Sequence, residues 1–146
     1  GVRLAIEPMN PIFAADRGVV STIDEALQIA DTVGSPAVGV VVDTYHVWWD
    51  PQLLDAVRRT GEANRLVSYQ VADWALPLHA DPLNSRGYMG DGYISFAPVS
   101  RAVTSTGYTD DVEVELFNED IWAQPAKEAI ATVQERFTRH VAPYLA

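Results

Sequence analysis

The sequence contains no cysteine. That excludes a disulfide framework, a thiolate metal site and a thiol nucleophile, so any metal must be held by oxygen and nitrogen ligands. Positive charge is also scarce: ten Lys and Arg stand against twenty Asp and Glu, a formal net charge of −10. The acids are scattered and form no tail, and a surface of this sign steers a phosphate backbone poorly, so nucleic acid is not an expected partner. No apolar run approaches the ~20 residues that a membrane span needs, and no basic stretch followed by an apolar one marks a signal peptide. A membrane partner is therefore not expected, and a cytoplasmic location is. Low-complexity segments, sequence repeats and interdomain linkers are lacking as well.

What is present suits one α/β domain over residues 1–146, because 48% hydrophobic content over that length supplies a core. Residues 2–7 read as a strand stopped by Pro8, and Asn10, Pro11 and Gly18 carry loop chemistry after it. Thr22 and Glu25 form a capping-box pattern ahead of a helix whose Ile23, Ala26, Leu27 and Ala30 recur at helical spacing. Gly34 and Pro36 end it before the strand "AVGVVVD". Continuous apolar strands of this kind suit a parallel sheet covered on both faces. The pattern recurs with a helix over Pro51–Gly61 and the strand "RLVSYQVAD". A long segment from Asp73 to about Pro98, rich in Pro, Gly, Asn and Asp, exceeds ordinary connection lengths and reads as an active-site loop. A helix over Pro98–Thr106, a strand over Asp111–Phe117 and a helix over Pro125–Val141 complete four βα units. The opening "GVRLAIEP" enters a strand at once without methionine, so a fragment of a longer chain, or a processed one, is expected.

The stretch "VVVDTYHVWWDP" ends a buried strand on ionisable groups. Glu7, Asp43 and Glu115 occupy equivalent strand ends in the first, second and fourth units, and the third offers Gln70 with Asp73 just beyond. In α/β folds the carboxyl ends of the strands share one rim, where ligands bind. Two Glu, one Asp and an amide oxygen make an oxygen-rich set suited to Mn²⁺ or Mg²⁺. Taken singly, each acid is equally a polar strand end or a helix cap. His46 is open between a hydrogen-bonded surface histidine, a support for a ligand and a substrate contact. Trp48 and Trp49 are open between packing and walling a sugar-sized pocket. Glu113 has the strand parity of Glu115 but lies one layer deeper, which favours Glu115.

The stretches "IEPMN", "DTYH", "ADW", "RGYMGDGYI" and "VEVELF", in that order, resemble the xylose-isomerase-like barrels, which comprise sugar isomerases and epimerases and their abasic-site endonuclease relatives. The resemblance covers nearly the whole chain and implies the C-terminal half of a (β/α)₈ TIM barrel, with parallel strands five to eight. It implies that Glu7, Asp43, Gln70 and Glu115 are metal ligands and that His46 and Arg86 contact substrate, with Asp73 and Trp48 beside them. Two departures stand out. The relatives typically have histidine where this chain has Gln70, whose carbonyl oxygen is the weaker ligand. The endonuclease branch flanks an arginine of this loop with Asp and His, where Ser85 and Gly87 flank Arg86 here, so phosphodiester cleavage is disfavoured.

The activity implied is a divalent-metal-dependent isomerisation or epimerisation of a sugar or polyol. Glu7 and Glu115 would serve as base and acid around a metal-stabilised enediolate. Co²⁺ and Zn²⁺ remain open beside Mn²⁺ and Mg²⁺. A dehydratase would use the same enediolate, and a catalytically silent sugar-binding module of the same fold is the reading of another class. "MGDG" at residues 89–92 lacks the length and lysine of a P-loop, which favours an unphosphorylated substrate. A half-barrel leaves two sheet edges bare, so an N-terminal half or a homo-oligomeric partner is expected to cover them.

Overall fold

The computed structural model describes residues 1–146. Four short strands, β1 (Leu4–Ile6), β2 (Val38–Asp43), β3 (Leu66–Val71) and β6 (Val112–Val114), pair in the order β1-β2-β3-β6, every neighbour parallel. Parallel neighbours need a crossover, and here each crossover carries a helix: α1 (Ile23–Val33), α3 (Leu53–Glu62) and α4 (Phe96–Ser105), with α6 (Ala126–His140) following β6. The expected four βα units are present. Their bounds move by a few residues: the helices expected from Pro51 and Pro98 begin at Leu53 and Phe96, and the third strand stops at Val71. The last strand, expected from Asp111 to Phe117, is only Val112–Val114. It lies at the sheet edge and pairs on one side alone, and the Glu115 N–H still donates to the Val71 carbonyl at 3.3 Å before the chain leaves the sheet.

α1 shows how local chemistry sets an element. The Thr22 hydroxyl accepts from the Glu25 N–H at 3.2 Å, and Glu25 Oε2 accepts from the Thr22 N–H at 3.1 Å. Gly34 closes the helix in the left-handed region, φ 68°. The buried face of Ile23, Ala26, Leu27 and Ala30 packs on Val40 and Val42 of the sheet, and Ala56, Val57, Val99 and Val103 of α3 and α4 continue the same core. Each fully buried Val or Leu in such a layer contributes about 1.5–3 kcal/mol.

Two short elements shape the rim. α2 (Thr44–Val47) is a single helical turn launched by Asp43 straight from the end of β2. β4 (Asp73–Trp74) and β5 (Arg86–Gly87) form a two-stranded antiparallel ribbon that pairs Asp73 with Gly87 and Trp74 with Arg86. α5 (Glu119–Trp122) leads into α6, which contributes no fully buried residue. No helix is long and apolar enough to cross a membrane.

Candidate active site

Asp43 is the last residue of β2, fully buried, and caps α2 by accepting the Tyr45 N–H on Oδ1 at 2.9 Å. In register it faces Gln70, which faces Glu113, so these three lie on one side of the sheet. Glu7 and Glu115 each lie one residue past the end of a strand, on the two outer strands β1 and β6. The turn of α2 brings His46 back over Asp43, with His46 Nε2 3.8 Å from both Asp43 Oδ2 and Glu7 Oε1.

Arg86 stands at the centre of this group. It is 1% exposed, and its Nη1 donates to Asp43 Oδ2 at 2.7 Å. Its Nη2 lies 3.0 Å from Glu115 Oε2 and 3.1 Å from His46 Nε2. The guanidinium carbon lies 4.7 Å from the Tyr45 ring centre and 5.5 Å from that of Phe117, a slot that favours a planar cation. The two ion pairs link β2 to the turn after β6 across the intervening strand.

The electrostatics follow from crowding. Desolvation, then the Asp43 and Glu115 charges, push the Glu7 carboxyl up to about 7, against the opposing pull of Arg86. Desolvation likewise raises Glu115, with Arg86 pulling the other way. Burial lowers His46 to about 4, so its imidazole is neutral near neutrality. The Asn10 N–H donates to His46 Nδ1 at 3.2 Å. A backbone amide and a guanidinium can only donate, so both ring nitrogens face donors, the Asn10 N–H at Nδ1 and Arg86 Nη2 at Nε2, and the single lone pair of a neutral imidazole satisfies one of them.

The other expected residues are placed as follows. Gln70 turns its amide to Glu113, Nε2 donating to Oε2 at 2.9 Å, while its own Oε1 is buried without a partner. Trp48 leans on Trp74 with ring centres 5.8 Å apart, and Trp74 stacks on Tyr45 at 4.8 Å; Trp49 donates from its indole to the His46 carbonyl at 2.8 Å. These rings brace α2. Asp73, expected beside the substrate, is fully buried. Its Oδ1 accepts from the N–H groups of Trp74 (2.8 Å) and Ile94 (2.9 Å), and its Oδ2 from those of Gly90 (2.8 Å) and Gly92 (3.0 Å). With both oxygens saturated by backbone, Asp73 anchors the loop that carries Arg86. The glycines are required there: Gly90 has φ 93°, and a Cβ on Gly92 would fall 2.1 Å from the Trp74 carbonyl oxygen.

Asn10, Tyr45 and Phe117 were not singled out by the sequence, although they orient His46 and enclose Arg86. The one available signal was that all three lie inside "IEPMN", "DTYH" and "VEVELF".

The donor chemistry was compared with a divalent ion. Glu7, Asp43 and His46 bring potential ligand atoms within 4.8 Å of one another, and Glu115 joins Asp43 through Arg86. The carboxylates of Glu7, Asp43 and Glu115 fit a hard dication. Gln70 Nε2 is engaged by Glu113, while its Oε1, the atom an ion would use, has no hydrogen-bond partner.

The sequence matches the family described as Xylose isomerase-like TIM barrel over residues 1–138, and the chain belongs to that family. Among curated relatives, inosose isomerase of Bacillus subtilis (strain 168) is 26% identical over 145 residues, 99% of this chain and 50% of that protein. L-ribulose 3-epimerase of Mesorhizobium japonicum is 26% identical over 121 residues, 83% of this chain and 36% of that protein. Among solved structures, protein SMc04130 from Sinorhizobium meliloti 1021 superposes with a TM-score of 0.91 at 43% identity, over 97% of this chain and 51% of that one. The IOLI protein, solved with a bound zinc atom, superposes with a TM-score of 0.82 at 26% identity, over 99% of this chain and 50% of that one. The chain spans about half the length of these inosose isomerase and structural relatives, and its parallel four-stranded sheet is half of a TIM barrel.

Proposed function

We propose that this chain carries the acid–base half of a divalent-metal-dependent isomerase or epimerase acting on a ketose sugar or an inosose. The observation that carries the reading is the pair of glutamates, Glu7 and Glu115, held above the usual carboxylate range at one rim around Asp43. A base works best with a pKa near the working pH, and burial with the Asp43 and Glu115 charges raises Glu7 toward it, offsetting the lowering that a dication would bring. Glu7 takes the proton from the carbon beside the substrate carbonyl, the electron pair moving into an enediolate. Glu115 returns a proton, either to the neighbouring carbon for isomerisation or to the opposite face of the same carbon for epimerisation. His46, beside Glu7 and Asp43, contacts a substrate oxygen. A dication held by Glu7, Asp43 and Glu115 would supply polarisation of the carbonyl and its adjacent hydroxyl. The remaining strands of the barrel, from further chain or a second copy, cover the bare edges of β1 and β6.

The test is exchange of the substrate C–H into D₂O, followed by NMR with Mn²⁺ present. Glu7→Gln and Glu115→Gln are each expected to slow exchange by about 10²–10⁴-fold, the usual worth of a positioned acid or base. The orientation of Gln70 toward Glu113 favours a second reading, a silent sugar-binding module. Sugar binding that is indifferent to EDTA, with no exchange, would select it.

A further inference from the structure

We propose that Arg86 is a resident counter-cation of the carboxylate cluster, and that a divalent ion gains Asp43 and Glu115 only by displacing it. This rests on the reading that the cluster takes a divalent ion. Guanidinium and ion would draw on the same carboxylate oxygens. Arg86 Nη1 uses Asp43 Oδ2, the same oxygen that lies 3.8 Å from His46 Nε2 and belongs to the Glu7–Asp43–His46 group. Nη2 uses Glu115 Oε2. Asp43 Oδ1 already accepts the Tyr45 amide, so neither oxygen of Asp43 is free of a donor. An ion seated among these oxygens would lie against the guanidinium with like charge, on the side where Asp43 and Arg86 are both fully buried.

The position of the arginine is built. Tyr45 and Phe117 enclose its plane, Asn118 Nδ2 donates to the Arg86 carbonyl at 2.9 Å, and the β4–β5 ribbon fixes its backbone. The hold is also incomplete: Arg86 Nε is buried without a partner, so the guanidinium is tied at its two outer nitrogens only. A side chain fixed at its root and tied at its tip by two carboxylates is suited to yield those carboxylates to a stronger cation. Ion entry and release of the guanidinium then become one event.

The experiment is calorimetric titration of Mn²⁺ into the intact protein and into Arg86→Gln, with thermal melting of both beside it. The variant is expected to bind Mn²⁺ about tenfold more tightly, the scale of one charge-assisted contact no longer competing. It is also expected to melt lower than the parent without the ion and to gain more on adding it, since the ion then offsets carboxylates left unpaired. Should Arg86→Gln not fold, Phe117→Leu removes one wall of the slot without changing charge and is expected to tighten Mn²⁺ about two- to threefold, a fraction of the same contact. Binding by a variant alone supports the inference. Equal or weaker binding by the variants, with the parent still binding, overturns it and leaves the metal reading standing. No Mn²⁺ binding by parent or variants overturns both.

Discussion

Asp43 and Asp73 are both fully buried carboxylates beside the same rim, and Arg86 lies close to each through the ribbon that holds it. Asp73 is surrounded by backbone: four N–H groups meet its two oxygens, and no other charge is paired with it. Asp43 has one backbone donor, and everything else around it is ionisable: Arg86, His46 and, through them, Glu7 and Glu115. A carboxylate saturated by main-chain donors is fixed in place and silent. One surrounded by titratable side chains keeps the capacity to exchange partners, and chemistry needs that capacity.

Breaking the backbone-held acid is expected to have the largest effect on stability. Asp73→Asn sets an amide group against two backbone donors and should cost about 3 kcal/mol, in line with the penalty for unsatisfied buried groups. The shift of the urea midpoint measures it, and a loss below about 1 kcal/mol would erase the contrast. Asp43→Asn should cost less, about 2 kcal/mol, because the asparagine oxygen still accepts from the Tyr45 amide while Arg86 loses a charged partner. It should abolish stabilisation by Mn²⁺ in melting experiments, whereas Asp73→Asn, once folded, should retain it.

A third prediction sharpens the titratable side of the contrast. The folded chain holds the Glu7 proton up to about pH 7 against an ordinary 4.5, so folding takes up protons in that window and this contribution to stability falls as pH rises through it. His46 behaves oppositely: lowered to about 4 from 6.5, it stays neutral when the unfolded chain would protonate it, and its contribution is lost as pH falls through that window. The two windows overlap with opposite signs. Stability between pH 4.5 and 6.5 should therefore change little on account of this pair. Glu7→Gln should uncover a rise with pH and His46→Asn a fall, read from denaturation midpoints across buffers. The same slope in both variants would remove the opposition.

The smallest expected effect concerns Gln70. Gln70→Ala loses one hydrogen bond to Glu113, worth under about 1 kcal/mol, and should leave Mn²⁺ affinity unchanged if the amide stays turned away. A tenfold drop in affinity would return Gln70 to the ligand set.

Most of the sheet and its helices could be read from the chain because their signals are local. The capping box at Thr22 and Glu25, the left-handed Gly34 and the apolar run into Asp43 each act within a few residues. The rim was legible in part. Glu7, Asp43, His46, Arg86 and Glu115 could be picked out and do come together in space. What hid Asp73 was distance, since the amides of Gly90, Gly92 and Ile94 return to it from 17 to 21 residues away. The same separation hid the use of "MGDG": compared with a phosphate loop it is too short, but two of its amides cradle an anion after all, one belonging to the chain itself. α2 escaped because four residues are too few to show a helical period.

The ribbon of β4 and β5 has one more consequence. It divides the long rim segment into two parts of different tolerance. Residues 86–94 are committed, since Arg86 and three of the four amides that hold Asp73 lie there. Residues 75–85 form a hairpin tip beyond the clamp, tied mainly by Arg17 to Asp81 and by Tyr45 to the Pro82 carbonyl. Insertions are best placed at residues 75–80, ahead of the Pro82 carbonyl that Tyr45 holds beside the guanidinium. For laboratory evolution of substrate range, the tip is the segment whose length can be varied, and the stretch from Arg86 to Ile94 is the one to leave intact.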